Sequence, residues 1–282
     1  GDALASKLPR AKPVKAPKQS LGDLLSTYII TDYHIGMLSW DVETGADWDM
    51  DIAEQLLGAW FQEAIRQAPA AGMAVLAQLG DFLHWDGLDA VTPTSGHTLD
   101  ADTRFQKLVR VAVRVVRRVI GQLLKKHQRV HVIMAEGNHD IASSVWLREL
   151  LSVLYEQEPR VTVDTSADIY YCYEHGQTSL FFHHGHKRKP GNIVEALAGK
   201  YRAVLGRTQH SYCHMGHMHH NMTKENSLVT VEQHRTLAAP DSHASRGGWC
   251  SGRDAKVITY HREHGEVSRA TVGYDMVAPY IL

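Results

Sequence analysis

Five short groups of polar residues stand at the ends of apolar runs, and each combines residue types that hold cations. They are Asp32-Tyr33-His34, Gly80-Asp81-Phe82-Leu83-His84, Gly137-Asn138-His139-Asp140, His183-His184-Gly185-His186 and Gly216-His217-Met218-His219. In extended chain, residues two apart point the same way, so Asp32 with His34, and His217 with His219, can aim at one point. A glycine beside a ligand lets backbone approach closely and turn sharply. Hard carboxylates beside imidazoles suit Mn²⁺, Fe or Zn²⁺ rather than Ca²⁺. Any one group alone reads as a turn or a surface cluster. The ordered set, one group per strand end, reads as a metal centre. The fourth group offers three imidazoles, His183, His184 and His186, for one ligand position.

The elements that must position these groups alternate along the first half. Residues 24–31, 73–79 and 129–135 read as strands, and 50–67, 102–127 and 144–155 as helices. In the longest helix Phe105, Leu108, Val109, Ala112, Val113, Val116, Ile120 and Leu123 recur at helical spacing. The second half carries two hairpins, 169–174 with 178–183 around His175-Gly176, and 256–261 with 267–272 around His264-Gly265. An alternating half followed by strand-rich hairpins predicts a layered α/β fold, with two sheets packed face to face and flanked by helices. Periodicity alone fits an open doubly wound sheet equally well.

The chain has 282 residues, 44% hydrophobic and 22% charged, which is enough for one large domain or two small ones. No run reaches the ~18 apolar residues of a membrane span. Cys172, Cys213 and Cys250 are far apart and form no C-x-x-C pair, which points to a reducing, cytoplasmic setting. Residues 1–20 read as a disordered basic arm, or a linker to a further domain, and 21–282 as the folded unit. The formal net charge is −1, yet 103–135 holds nine Lys or Arg and no acid.

The ordered series D-x-H, G-D-x-x-H, G-N-H-D, H-G and G-H-x-H resembles the five-motif signature of the calcineurin-like metallophosphoesterases, over residues 32–219. The resemblance implies a four-layer α/β/β/α sandwich with two metal ions, Mn²⁺ first among the candidates, at one sheet edge. Carried over by motif, Asp32, His34 and His219 hold one ion and Asn138, His184 and His217 the other, with Asp81 bridging both. His139 contacts the scissile phosphate and protonates the leaving group, Asp140 or another acid orients its ring, and His84 completes the catalytic set. Two metals roughly 3.5–4 Å apart clamp the phosphate and make hydroxide available near neutral pH, so no protein nucleophile is needed.

The pairing of G-D-x-x-H with G-N-H-D is most similar to the SbcD-type DNA repair nucleases. Protein Ser/Thr phosphatases instead carry G-D-x-x-D-R-G, which departs from this chain at His84. The length leaves little room for the capping domain of those nucleases, so a compact member of that branch, acting on DNA or RNA, is the expectation. Lys187, Arg188 and Lys189 follow the fourth motif and, with His186, are candidate substrate contacts. The stripe Lys107, Arg110, Arg114, Arg117 reads first as a solvated helix face, and Trp40, Trp48 and Trp85 as packing under loops before base stacking. The alternatives are a small-molecule or nucleotide phosphoesterase and a non-catalytic metal-binding scaffold. Nucleic acid is the expected partner and a membrane is not; no oligomeric state is implied.

Overall fold

The computed structural model describes residues 10–281. Of the basic arm, residues 1–9 lie outside the described residues. Residues 10–20 form no helix or strand and lie along the domain surface. There Ala11 N–H donates to the Leu154 carbonyl (2.9 Å) and Val14 N–H to Glu158 Oε2 (2.6 Å), while Gln128 and Arg160 donate to the carbonyls of Pro17 and Val14.

In chain order the elements are β1 (Leu21–Ile30), α1 (Asp41–Thr44), α2 (Met50–Gln67), β2 (Ala71–Gln78), α3 (Phe105–Lys126), β3 (Arg129–Met134), α4 (Ile141–Tyr155), β4 (Val161–Val163), β5 (Tyr171–His175) and β6 (Thr178–His183). There follow α5 (Ile193–Lys200), α6 (Arg202–Arg207), β7 (His210–Met215), β8 (Met222–Lys224), β9 (Thr230–Gln233), α7 (Ser242–Gly247), β10 (Asp254–His261), β11 (Gly265–Gly273) and α8 (Tyr274–Val277). No helix among the described residues is long and apolar enough to cross a membrane.

One sheet has six strands in the order β11-β10-β1-β2-β3-β4, and the other five in the order β5-β6-β7-β9-β8. Alternation along the strands builds three apolar layers. In β1, Tyr28 and Ile30 face α2, α3 and α4, while Leu25 and Ile29 meet Leu180 and Phe182 of β6 between the sheets. Phe181 of β6 turns the other way, against Ile193 and Leu197 of α5. The result is the expected α/β/β/α sandwich. Each fully buried side chain of this size contributes about 1.5–3 kcal/mol.

Register sets the site. Strands β1, β2 and β3 are parallel, with Ile30 opposite Gln78 and Gln78 opposite Met134, so the loops after them leave one edge side by side. In the second sheet His183 is opposite Met215, which brings the loops after β6 and β7 to that edge too.

Helix boundaries follow their caps. Asp49 accepts the Ile52 N–H (2.7 Å) at the start of α2. The long helix starts at Phe105 rather than 102 because Asp102 is used elsewhere, accepting the Met50 N–H (3.0 Å). Helix α4 starts three residues before the expected 144, since Asp86 accepts the N–H groups of Ala142 and Ser143 (2.5 and 2.7 Å). The last hairpin pairs as expected, but β10 also lies antiparallel to β1 and extends the first sheet. Arg114 of the basic stripe, and Arg118 outside it, both pair with Glu54 of α2, so part of the helix's charge is neutralised within the fold.

Candidate metal centre

Among the described residues, five that are not glycine have left-handed backbone: Asp32 (φ 49°), His34 (48°), Asp81 (52°), His217 (74°) and His219 (54°). All five are expected ligands. The extended spacing read from D-x-H and H-x-H is therefore not how these pairs converge, because the chain turns sharply at each ligand. A side-chain-bearing residue in such a conformation costs on the order of 1–3 kcal/mol and persists where the surroundings over-determine it. Two glycines let these turns interlock. A Cβ on Gly137 would meet Asp81 Oδ1 and the Asp81 amide, and one on Gly216 would meet Thr31 Oγ1 and Asp32 Oδ2.

The ligand atoms of Asp32, His34 and His219 all lie within 4.8 Å of one another, and so do those of Asp32, Asp81, His184 and His217. Each group could hold a metal ion, and Asp32 stands in both. Asp32 Oδ1 is 3.0 Å from His219 Nε2 and 3.9 Å from His184 Nε2; Asp81 Oδ2 is 3.1 Å from His184 Nε2. Asn138 Oδ1 also lies 3.1 Å from His184 Nε2. Of the three histidines after β6, His184 is the one that joins these groups.

Burial alone would raise the carboxyls, but His219 and His184 hold Asp32 well below the usual carboxylate range, and His184 and His139 do so for Asp81. Burial alone would lower His184, but Asp81 and Asp32 lift it to about 9. His219 is raised by Asp32 against the effect of burial. Burial, then His139 and His84, keep His34 neutral and well below the ordinary imidazole range. His217 is also lowered, by burial and His184.

The donors fit cations. Asp32 Oδ1 is buried and receives no hydrogen bond despite its close imidazole. His184 Nδ1 donates to the Leu79 carbonyl (2.9 Å), which fixes the ring's orientation and turns Nε2 toward the carboxylates, where a cation would displace its proton. Oxygen and imidazole nitrogen together suit Mn²⁺, Fe or Zn²⁺.

His139 sits against this centre, its ring 4.8 Å from that of His34 and its backbone N–H donating to Asp81 Oδ1 (2.8 Å). Asp140 does not orient that ring. His139 Nδ1 donates instead to the His84 carbonyl (2.8 Å), and His139 also groups with His34 and His84, their ligand atoms within 4.8 Å of one another. The Asp140 carboxylate is buried and filled by backbone: Oδ1 accepts from Asp81 (3.2 Å) and Gly137 (3.0 Å), and Oδ2 from Phe82 (2.7 Å) and Leu83 (3.2 Å). It staples the second and third motif loops together. His84 carries two duties, its carbonyl on His139 and its Nδ1 3.2 Å from His34 Nδ1. Burial and His139 bring the His84 pKa down to about 3.

His183 is fully buried and stacked on Tyr170 (4.7 Å), so it packs rather than ligates. His186 is partly exposed beside the second group, its ring 5.3 Å from His184 and 6.5 Å from His217. Lys187, Arg188 and Lys189 are exposed on the continuing loop. Trp48 and Trp85 are buried as expected of packing, while Trp40 is exposed.

Three supports were not read from the sequence. Thr31 Oγ1 donates to Asp32 Oδ2 (2.5 Å), Thr236 Oγ1 donates to the Asp32 carbonyl (2.6 Å), and the Leu79 carbonyl holds His184. Thr31 adjoins a motif and could have been suspected; Thr236 is distant in sequence, and the Leu79 support is pure backbone. A further buried group, His214, Glu232 and His234, lies between the sheets, but Lys256 (2.7 Å) and Arg269 (3.0 Å) already occupy Glu232. Those cations leave it a hydrogen-bond network rather than a metal site.

No family profile and no curated protein matches the chain. Among solved structures it is similar to an archaeal phosphodiesterase, with 13% identity and a TM-score of 0.43 over 88% of this chain and 99% of that one. It is also similar to a predicted phosphoesterase from Streptococcus pneumoniae, with 11% identity and a TM-score of 0.32 over 89% and 98% of the two chains. A third is Vps29 of Entamoeba histolytica complexed with zinc, with 13% identity and a TM-score of 0.33 over 88% and 99%.

Proposed function

We propose that this chain is a metal-dependent phosphodiesterase acting on nucleic acid, with DNA the favoured substrate. The observation that carries the hydrolase reading is the convergence of five strained residues, Asp32, His34, Asp81, His217 and His219, with His184 at one sheet edge. Such strain is kept where function requires it. Asp32, His34 and His219 would hold one divalent cation, and Asn138, His184 and His217 the other, with Asp81, and Asp32 which stands in both groups, between them. Bound there, the pair would supply Lewis acidity toward the phosphate and activate water, Mn²⁺ being the first candidate.

The chain's own groups divide the remaining work. His139 would donate to the leaving oxygen from Nε2 as the imidazolium and return to the neutral Nδ1–H form, which the His84 carbonyl holds. Asp140 positions the loops of Asp81 and Gly137 through their amides. His186 and the Lys187-Arg188-Lys189 run border the second ligand group and would meet phosphates flanking the scissile one. Lys187 is close enough to Glu136, just before the third motif, to act on its charge. The long basic helix contributes less, since Glu54 holds Arg114 and Arg118.

A panel of single- and double-stranded DNA, RNA, cyclic nucleotides and an aryl phosphodiester, assayed with chelator and then with Mn²⁺, tests this. Metal-restored cleavage of DNA is the expected result, with Asp81→Asn abolishing it. Cleavage confined to small esters would make it a small-molecule enzyme. Metal binding without hydrolysis of any ester would make the chain a scaffold.

A further inference from the structure

Away from the metal ligands, a cavity of about 590 Å³ is lined by Thr44, Ala46, Asp47, Ile52, Pro240, Arg253, Tyr274, Ala278 and their neighbours. That volume falls within the range of small-molecule sites, roughly 300–1,000 Å³. It shares no residue with either metal group.

Arg253 sets its chemistry. The guanidinium carbon lies 3.8 Å from the Tyr274 ring centroid and 5.6 Å from that of Trp48, so two aromatic rings fix its plane. Nε donates to the Leu237 carbonyl (2.9 Å), whereas Nη2 is buried and has no hydrogen-bond partner. No carboxylate among the described residues forms an ion pair with it; the adjacent Asp254 is taken by Arg235 (2.7 Å). Burial works against the charge of the partly buried Arg253, and Tyr274, Tyr33 and Asp275 offset that only in part. Here it lines a space large enough for a counter-ion on an organic body. Ile52, Pro240 and Ala278 make much of the remaining wall apolar. Asp47 also lines the cavity, with Oδ1 already accepting the Asp41 N–H (2.9 Å), which leaves acceptor capacity for a hydroxyl or amine of the guest.

We propose that this cavity is a second ligand site, for a small organic anion whose carboxylate or phosphate pairs with Arg253 and whose flat apolar body, bearing a hydrogen-bond donor, fills the space between α1, α2 and α8. It lies close to the metal centre without being part of it, because the buried Trp48 that flanks Arg253 also donates its indole N–H to the His34 carbonyl (3.3 Å). The site stands whether or not the chain hydrolyses nucleic acid.

Calorimetric titration of the full chain with 4-hydroxybenzoate and with phenyl phosphate tests it and separates the two anion sources. Binding of at least one probe at about 1 mM or tighter is expected. Arg253→Gln should weaken that binding about 10-fold or more, as loss of a charged partner does. Because Arg253→Gln also removes packing, Ala46→Phe serves as the second variant. It fills the cavity with Arg253 intact, and should abolish the same binding while leaving phosphodiester hydrolysis unchanged. Phenyl phosphate bound at the metals would be insensitive to both variants. No binding of either probe, or binding that neither variant alters, overturns the proposal.

Discussion

Replacing Asp140 by Asn separates its two conceivable duties. The buried carboxylate accepts four backbone N–H groups, two on each oxygen, from Asp81, Gly137, Phe82 and Leu83. An Asn in the same pose keeps one oxygen and turns an amide NH₂ toward the other two donors, so two buried N–H groups lose their acceptor. Leaving a buried donor without its acceptor costs about 1–3 kcal/mol, so Asp140→Asn should cost about 2–6 kcal/mol. Against a typical total of 5–15 kcal/mol, that is a large fraction of the stability. The loops that lose their staple carry Asp81 and Asn138, so metal affinity should fall with stability. Urea unfolding and metal content by mass spectrometry, measured on one preparation, read both. A variant with wild-type stability and metal content, slow only on esters with poor leaving groups, would refute this reasoning and return Asp140 to the role of ring partner for His139.

His139→Ala should keep its metals and lose roughly 10²–10⁴-fold in turnover, with a smaller loss on nitrophenyl esters, whose leaving group needs no proton; an equal loss across leaving groups would assign His139 to positioning. Replacing Lys187, Arg188 and Lys189 by Ala should flatten the salt dependence of DNA binding and slow DNA cleavage, leaving a small aryl phosphodiester unaffected; equal losses on both substrates would make the run a support of the site. Glu232, between His234, His214, Arg269 and Lys256, has its pKa depressed from 4.5 to about 2 despite burial. Its contribution is present above the unfolded carboxyl pKa and lost as pH falls toward 2. A depression of that size corresponds to about 3 kcal/mol, so Glu232→Gln should destabilise by about that much at pH 7 and progressively less below pH 4.5, as followed by urea midpoints.

Much of the candidate site was legible because its chemistry is written in residue type. Asp32, His34, Asp81, His184, His217 and His219 are short-range signals, each in its own motif at the end of an apolar run, and the structure brings them to one edge. Alternation of strand and helix signals located the main elements to within a few residues, since period 2 and period 3.6 are local properties. Boundaries shifted where a cap came from afar: Asp86 starts α4 and Asp102 serves α2, and neither choice is visible in a local window.

What the sequence determined by itself is the inventory: which residues can hold cations, in what order, and that each follows a strand. Tertiary structure decided how they meet. The left-handed turns at Asp32, His34, Asp81, His217 and His219 contradict the local preference of those residues, and become stable only when glycines at 137 and 216 let neighbouring loops interlock. The pairing of β10 with β1, the stapling role of Asp140 and the choice of His184 over His183 and His186 are likewise non-local. A residue's type is local, but its partners depend on which strand lies beside it. That is fixed by burial of both sheet faces at once, a condition no single segment can express.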